Sequence, residues 1–335
     1  MKPVIFGLSG ETLTADERAF FSDARPAGYI LFKRNVADRD QLRALTDQLR
    51  AIDGRADLPI LIDQEGGRVS RMQPPEWPAF PPGERFDALY EKAPVSAMEA
   101  ARANAHAIAL ILSEAGVSVN CLPLLDVRQP HTHAVIGDRA LGAEPMRVAA
   151  LGRAILDGLR DGGVVGVIKH IPGHGRAMAD SHLELPVVDA DAAALDIDIA
   201  PFERLNDAPM AMTAHVVYTA WDAARCATLS PVVIERIIRG RIGFDGLLMS
   251  DDIDMKALSG TPAEKARQSI AAGCDVVLDC WGRMDEMTAI AAALDEIAPE
   301  AKRRLDAAMA TVAAPVAGAV LAELIDKRDA LLAYA

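Results

Sequence analysis

The sequence has few aromatic residues and few cysteines. Only 4% of its 335 residues are Phe, Trp or Tyr, and it contains four cysteines, none of which is spaced as a CxxC pair. Four thiols in a chain of this length do not make the disulfide framework of a small secreted protein. Cysteine usage therefore favours a reducing compartment.

Positive charge and long apolar runs are also scarce. Lys and Arg number 35 against 48 Asp and Glu, which gives a formal charge of −13 and argues against a nucleic-acid partner. The longest uncharged stretch, 307–322, contains Pro315 and Gly318 and is shorter than the about 20 residues of a membrane span. Residues 1–7 lack the long apolar segment of a signal peptide. We therefore expect a soluble, cytoplasmic protein without a membrane partner.

Eight short apolar runs carry the fold signal. Each is apolar at successive positions, as expected for strands that are buried on both faces of a parallel sheet. The runs are Val4–Leu8, Tyr29–Phe32, Leu58–Ile62, Val117–Leu125, Val164–Ile168, Met210–Met212, Leu247–Met249 and Val276–Leu278.

Helical patterns fall between most of these runs, so the chain is an α/β protein, either a TIM-type (β/α)₈ barrel or a doubly wound sheet. The count of eight and the lack of a GxGxxG turn after the first run favour the barrel. No shift in composition marks a domain boundary. We predict a single (β/α)₈-barrel domain over residues 1–335, with terminal helices from about residue 300 packed outside.

Polar residues follow seven of the eight predicted strands. Active sites of such barrels lie at the carboxyl ends of the strands, so these residues are the candidates for chemistry. They are Lys33-Arg34, Asp63, Asp126, Lys169-His170, His215, Asp251 and Asp279.

The segment after the fifth strand, KHIPGHG (169–175), is a shaped loop rich in Gly and Pro. Lys169 and His170 can donate hydrogen bonds to a polyhydroxylated ligand. The loop continues to Asp180 and His182, where a carboxylate two residues before an imidazole can fix its tautomer and raise its basicity. A solvated loop with a stray histidine is the plainer alternative.

Three further segments supply charged candidates. Asp251 directly follows the seventh strand and can act as a nucleophile at an anomeric carbon or as a metal ligand, while its neighbour Asp252 can cap the next segment. Asp63, at the end of the third strand, can accept hydrogen bonds from two hydroxyls. Nearby Arg71, and Arg139 after the fourth strand, can reach the same mouth. The pair His131-Thr132-His133 lies too far past a strand end for a barrel metal site and is predicted to be a surface loop.

At these residues the sequence resembles the family 3 glycoside hydrolases, and within them the single-domain bacterial β-N-acetylhexosaminidases. The resemblance spans most of the chain, and the KHIPGHG segment followed by DSH is its most specific part. The matching segments are DQEGGRVSRM (63–72), VIGDRAL (135–141), KHIPGHG (169–175), DSHLELP (180–186), MTAHVVY (212–218) and GLLMSDDIDM (246–255).

The resemblance implies a TIM-type barrel and a retaining mechanism through a covalent glycosyl-enzyme. Asp251 would be the nucleophile, and His182 paired with Asp180 would be the general acid/base. The implied substrate is terminal β-linked N-acetylglucosamine, carried by 1,6-anhydro-N-acetylmuramyl peptides of cell-wall recycling. The substrate-holding residues would be Asp63, Arg71, Arg139, Lys169 and His170.

Ile171 and Ala140 depart from the family's usual Phe and Ser, at positions that carry no catalytic role. We expect no cofactor and no metal, and a monomer that acts on a short saccharide. The three tryptophans, Trp77, Trp221 and Trp281, are too scattered to form a polysaccharide platform.

Four other functions remain open from the residues. A phosphorylase on the same fold would transfer the sugar to phosphate. A metal-dependent hydrolase would use His170, His174, His215 and Asp251, and would be sensitive to chelators. A muropeptide-binding barrel would bind without turnover, and a Schiff-base aldolase would use Lys169.

Overall fold

The computed structural model describes residues 1–181, 183–312 and 314–335. Eight parallel strands close into a barrel in the order β1-β8-β7-β6-β5-β4-β3-β2, so the barrel prediction is confirmed. Each of the eight apolar runs overlaps one of these strands. The barrel strands are β1 Lys2–Gly7, β2 Pro26–Leu31, β3 Ile60–Ile62, β4 Val119–Asn120, β5 Val165–Ile171, β6 Met210–Thr213, β7 Leu247–Asp252 and β8 Val276–Asp279.

Helices surround the barrel, and several begin and end where the sequence predicts. Thr261 and Glu264 form a capping box at the start of the helix that begins with Pro262. Gly116, with φ of +76°, follows the end of the long alanine-rich helix. The helices are α1 Ala15–Ala24, α2 Arg39–Asp53, α3 Glu84–Lys92, α4 Pro94–Glu114, α5 Pro145–Asp161, α6 Ala192–Arg204, α7 Pro262–Ala272, α8 Met284–Ala293, α9 Pro299–Met309 and α10 Leu321–Leu332, with a π-helix at Val233–Arg241 between α6 and α7.

Apolar side chains fill two separate cores. The larger core lies between the strands and the surrounding helices. The smaller core fills the barrel interior with side chains such as Ile5, Val119, Val167 and Met249, all 1% exposed or less. The barrel is therefore a packed scaffold, and the open space for a ligand lies at its ends.

The two terminal helices pack differently. Helix α10 packs on the outer helix α4, as expected for a terminal helix. Helix α9 instead places Leu305, Ala308 and Met309 in the core of the barrel interior. Of the residues from about 300, α10 thus lies against the outer helical layer and α9 covers an apolar end of the barrel.

Short additional strands extend the loops that follow β3, β5 and β6. Gln64–Gly66 pairs with Val69–Ser70, and a three-stranded sheet joins Val187–Val188, Val217–Tyr218 and Asp222–Cys226. Over the described ranges, no helix is long and apolar enough to cross a membrane.

Candidate active site

A cavity of about 320 Å³ opens at the carboxyl ends of the barrel strands. It brings together six of the eight residues that the sequence analysis named, Asp63, Arg71, Arg139, Lys169, His170 and Asp251. The other lining residues are Ile30, Phe32, Arg34, Glu65, Arg68, Val69, Val135, Ile136, His174, Ser181, Met212, Asp252, Met255, Leu278, Cys280 and Trp281.

The floor of the cavity is a buried network of alternating charges centred on Lys169. This ammonium is 2% exposed and lies 2.9 Å from Asp63 Oδ1 and 2.6 Å from Glu65 Oε1. Arg139 holds both oxygens of Glu65 at 2.8 Å, and Arg71 donates to Asp63 Oδ2 at 3.1 Å. Each floor carboxylate thus bridges two cations, which compensates the cost of burying these charges.

The network favours the ionised forms of Asp63, Glu65 and Lys169. Burial alone would raise the pKa of Asp63, but the charges of Lys169 and Arg71 outweigh it and hold the pKa well below its usual range. Arg139 and Lys169 do the same for the pKa of Glu65. Burial opposes the charge of Lys169, yet Asp63 and Glu65 raise its pKa above the ordinary value. A permanently protonated Lys169 is a poor Schiff-base nucleophile, which argues against the aldolase.

A second buried cluster orients the two histidines of the KHIPGHG loop. Asp126 is fully buried, and its Oδ2 lies 2.7 Å from His170 Nδ1. Its Oδ1 accepts the backbone N–H groups of His170 at 3.1 Å and His174 at 2.6 Å. Because Asp126 holds Nδ1 of His170, Nε2 is the ring nitrogen that points away from this carboxylate.

Asp126 is expected to stabilise the fold in a pH-dependent way. Burial raises its pKa, but His170, His174 and the backbone donors outweigh burial and lower it to about 2. A depressed carboxyl pKa contributes stability above the unfolded value near 4, and this contribution is lost as the pH falls towards 2. We predict that Asp126→Asn lowers the free energy of unfolding at pH 7 by about 2 kcal/mol, and that its deficit relative to wild type shrinks between pH 5 and 2.

Urea unfolding of wild type, Asp126→Asn and the exposed-site control Asp326→Asn at several pH values measures this deficit. A deficit that stays constant with pH would show that Asp126 acts through packing and not through its charge.

The end of β7 carries two adjacent carboxylates. The sequence places Asp251 after the strand, but β7 extends through Asp252, so both residues lie on the strand. Asp251 Oδ1 accepts the backbone N–H of Asp252 at 2.8 Å. Asp252 Oδ1 accepts the N–H of Asp254 at 3.1 Å and of Cys280 at 3.4 Å, and burial raises the pKa of Asp252 to about 6. Asp252 therefore ties β7 to the end of β8 and caps no helix.

The loop that follows β5 runs along the cavity from His174 to Ser181. Ser181 lines the cavity, its Oγ is 3.3 Å from His174 Nε2, and its carbonyl accepts the N–H of Ala257 at 3.2 Å. Asp180 precedes it, half-buried, and its carbonyl accepts the N–H groups of residues 183 and 184. His182, predicted as the acid/base, lies outside the described residues.

The segment with His131 and His133 lies at the surface, as predicted, and supports this loop. Thr132 Oγ1 donates to the carbonyl of Gly175 at 2.6 Å, and the N–H of His133 donates to the carbonyl of Ala177 at 3.3 Å. The segment thus contacts the loop backbone from outside the cavity.

Sequence reasoning missed Glu65 and Trp281 as parts of the site, and it listed Asp126 as a strand-end candidate without a role. Glu65 had a detectable signal. The sequence analysis placed three cations at the barrel mouth, Arg71, Arg139 and Lys169, with Asp63 as the only carboxylate to hold them. Three buried cations need more than one anionic partner. The DQEGGR segment offers Glu65 as the nearest one.

The geometry bears on the metal-dependent alternative. Across residues 1–181, 183–312 and 314–335, no group of three or more His, Cys, Asp or Glu side chains is arranged to hold a metal ion. Both ring nitrogens of His215 are occupied, Nδ1 by Thr228 Oγ1 at 2.7 Å and Nε2 by the carbonyl of Asp252 at 2.9 Å. His215 is therefore a structural residue.

Comparison with known families accounts for this arrangement. The family described as "Glycosyl hydrolase family 3 N terminal domain" matches residues 7–314, which is most of the chain. The chain belongs to glycoside hydrolase family 3. Membership of this family agrees with the closed barrel and with the carboxylate-lined cavity at the carboxyl ends of the strands.

Several known proteins are similar to this chain in sequence or in structure. A protein of Aromatoleum aromaticum named "Beta-hexosaminidase" is 38% identical over 310 residues, covering 91% of this chain and 86% of the relative. A crystal structure of NagZ from Neisseria gonorrhoeae in complex with N-trifluoroacetyl-D-glucosamine is 31% identical, with a TM-score of 0.89 over 99% of this chain and 98% of that one. A β-N-acetylhexosaminidase from Beutenbergia cavernae is 26% identical, with a TM-score of 0.76 over 92% and 95%.

Proposed function

We propose that this family 3 member is a retaining exo-β-N-acetylglucosaminidase that releases terminal, non-reducing β-linked N-acetylglucosamine. The observation that carries the proposal is that Asp251 opens into the same cavity as the charged floor around Lys169. The floor suits the hydroxyl groups of a sugar, and the carboxylate lies at the strand edge where an anomeric carbon can meet it. Relatives named β-hexosaminidase support the choice of N-acetylhexosamine.

The floor residues hold the sugar. Lys169 has three N–H donors, of which Asp63 and Glu65 use two, so the third is available to a hydroxyl. Further hydrogen-bond donors and acceptors line the same cavity on Asp63, Arg71 and Arg139. Because Asp126 holds His170 at Nδ1, its Nε2 is available to the ligand.

The reaction proceeds in two steps with one covalent intermediate. In the first, Asp251 attacks the anomeric carbon as the bond to the leaving oxygen breaks, and protonated His182 gives that oxygen its proton. In the second, neutral His182 accepts a proton from water, the water oxygen attacks the anomeric carbon, and the bond to Asp251 breaks. An imidazole with an unperturbed pKa near 6.5 suits both roles, and Asp180 would hold its tautomer.

The natural substrate we propose is a muropeptide in which N-acetylglucosamine is linked to 1,6-anhydro-N-acetylmuramic acid, cleaved in the cytoplasm during peptidoglycan recycling. The four cysteines, all buried as free thiols, support a reducing compartment. We further propose a single-domain monomer that needs no metal or cofactor.

The test is hydrolysis of p-nitrophenyl β-N-acetylglucosaminide with a chelator present, with the anomer of the released sugar followed by NMR. We expect turnover with the β-anomer appearing first. Initial release of the α-anomer would contradict a retaining mechanism. Formation of sugar-1-phosphate on adding phosphate would indicate the phosphorylase, and binding without turnover would indicate the muropeptide-binding barrel.

The role of His182 predicts a dependence on the leaving group. A p-nitrophenolate leaves without much protonation, whereas a sugar alcohol needs a proton donor. His182→Ala should therefore lower kcat/KM for a disaccharide by about a hundredfold or more and for the activated aryl substrate by much less. His131→Ala, at the surface outside the cavity, is the matched control and should affect neither. Equal losses on both substrates would remove His182 from proton donation.

A further inference from the structure

Two aromatic rings and a guanidinium stand together at one side of the cavity mouth. Trp281 lies two residues after β8 and is 52% exposed although it lines the cavity. The Arg34 Cζ lies 5.7 Å from the Trp281 ring centroid and 5.0 Å from that of Phe32. A second guanidinium, that of Arg283, contacts the Trp281 ring from outside the cavity lining, with its Cζ 5.6 Å from the centroid. An exposed tryptophan that lines a polar pocket offers the apolar face of its ring to a ligand.

The backbone fixes this cluster in place. Gly282 has φ of +69°, and a Cβ at this position would lie 2.4 Å from the carbonyl carbon of Leu8. Arg34 donates from Nε to the carbonyl of Leu8 at 2.8 Å and from Nη2 to the carbonyl of Cys280. These contacts join the ends of β1 and β8, so the backbone on either side of Trp281 is fixed before any ligand arrives.

Arg34 brings a positive charge that the carboxylates Asp252 and Asp279 influence only from beyond ion-pair distance. Among the described residues, no carboxylate lies within ion-pair distance of its guanidinium, in contrast to Arg71, Arg139 and Lys169 on the floor. Its hydrogen bonds go to backbone carbonyls, which leave the charge in place. A half-buried cation in this state favours an anionic ligand group.

The cluster lies outside the position of the cleaved sugar. The floor around Lys169 is the deep, buried end of the cavity, and Asp251 stands on β7, the direct neighbour of β8 in the barrel. A sugar held by the floor with its anomeric carbon at Asp251 must direct its leaving group towards the mouth. Trp281 and Arg34 are the aromatic and cationic groups at the β8 side of that mouth.

We propose that Trp281 and Arg34 form the subsite for the leaving sugar and select a leaving sugar that carries a carboxylate. Trp281 stacks on the C–H face of the pyranose ring, and Arg34 pairs with the carboxylate. This inference rests on the proposed glycosidase function and assigns the leaving-group specificity to these two residues.

The test compares three substrates that share the N-acetylglucosaminyl group. β-N-acetylglucosaminyl fluoride has no leaving sugar, N,N′-diacetylchitobiose has a neutral one, and N-acetylglucosaminyl-β-1,4-N-acetylmuramic acid has a carboxylated one. Because kcat/KM reports steps through the first bond cleavage, ratios between substrates isolate the contribution of the leaving sugar. Wild type should prefer the carboxylated disaccharide to chitobiose.

Trp281→Ala should lower the ratio of kcat/KM for either disaccharide to that for the fluoride by about tenfold, and Trp281→Tyr should restore most of it. Arg34→Gln should lower the preference for the carboxylated disaccharide over chitobiose by about tenfold. Tyr334→Ala, which changes an exposed aromatic residue two positions after the end of α10, is the control and should leave both ratios unchanged.

The outcomes separate the two proposals. A Trp281→Ala ratio within twofold of wild type would overturn the stacking role. A wild-type enzyme without preference between the disaccharides, or an unchanged preference in Arg34→Gln, would overturn selection of the carboxylate. If wild type cleaves none of the three substrates, the proposed function itself fails.

Discussion

Replacement of Asp251 by Asn should lower kcat/KM for p-nitrophenyl β-N-acetylglucosaminide by at least about a thousandfold. The amide keeps the size of the side chain but cannot form the glycosyl ester. Asp254→Asn is the matched control, because this carboxylate lies three residues further on and forms an ion pair with Arg283. It should retain activity within about twofold.

A second measurement identifies the chemistry that is lost. Asp251→Gly leaves space for an external anion, so azide should restore turnover and yield the α-glycosyl azide by a single inversion. His182→Ala should instead give the β-glycosyl azide, since azide then attacks the intermediate still formed on Asp251. Full activity of Asp251→Asn, or a β-azide from Asp251→Gly, would remove Asp251 from the nucleophile role.

Replacement of Lys169 by Met should cost about 3–5 kcal/mol of folding free energy, because it leaves Asp63 and Glu65 buried with one cation each. It should also remove a sugar contact, so that activity falls even where the variant is folded. Urea unfolding measures the first effect and kcat/KM the second. Lys302→Met, which removes an exposed ion pair with Asp306 on α9, should stay within about 0.5 kcal/mol of wild type.

A double variant checks the cause. Lys169→Met combined with Glu65→Gln removes one of the two buried negative charges and should recover part of the lost stability. Purely additive losses in the double variant would show that the cost comes from packing and not from unpaired charge.

The barrel was predictable because its strands are unusually uniform. Runs such as Val276–Leu278 are apolar at every position, which is required of a strand covered on both faces, and eight of them alternate with helical patterns. Their ends then placed Asp63, Lys169, His170 and Asp251 at one edge. This prediction requires only that parallel strands run in the same direction, because their carboxyl ends then lie at the same end of the barrel.

The remaining features depend on partners distant in sequence. Helix α9 has the amphipathic pattern of an outer helix, and only the open apolar end of the barrel makes Leu305 an interior residue. Glu65 resembles any turn carboxylate until Lys169 reaches it from β5 and Arg139 from the loop after β4. Trp281 is one scattered aromatic residue in the sequence, and its position at the mouth follows from the contacts of Arg34 with Leu8 and Cys280.

The pairing of β1 with β8 determines at which stage of synthesis the barrel can close. Val4 pairs with Val277, so the barrel closes through partners about 270 residues apart in sequence. During vectorial synthesis, β1 can pair with β2 early, but its other edge stays unsatisfied until β8 has been made. The same late event brings Trp281 beside Arg34 and completes the cavity mouth. A nascent chain therefore has no finished site until nearly the whole barrel has been translated, and incomplete chains carry an open strand edge.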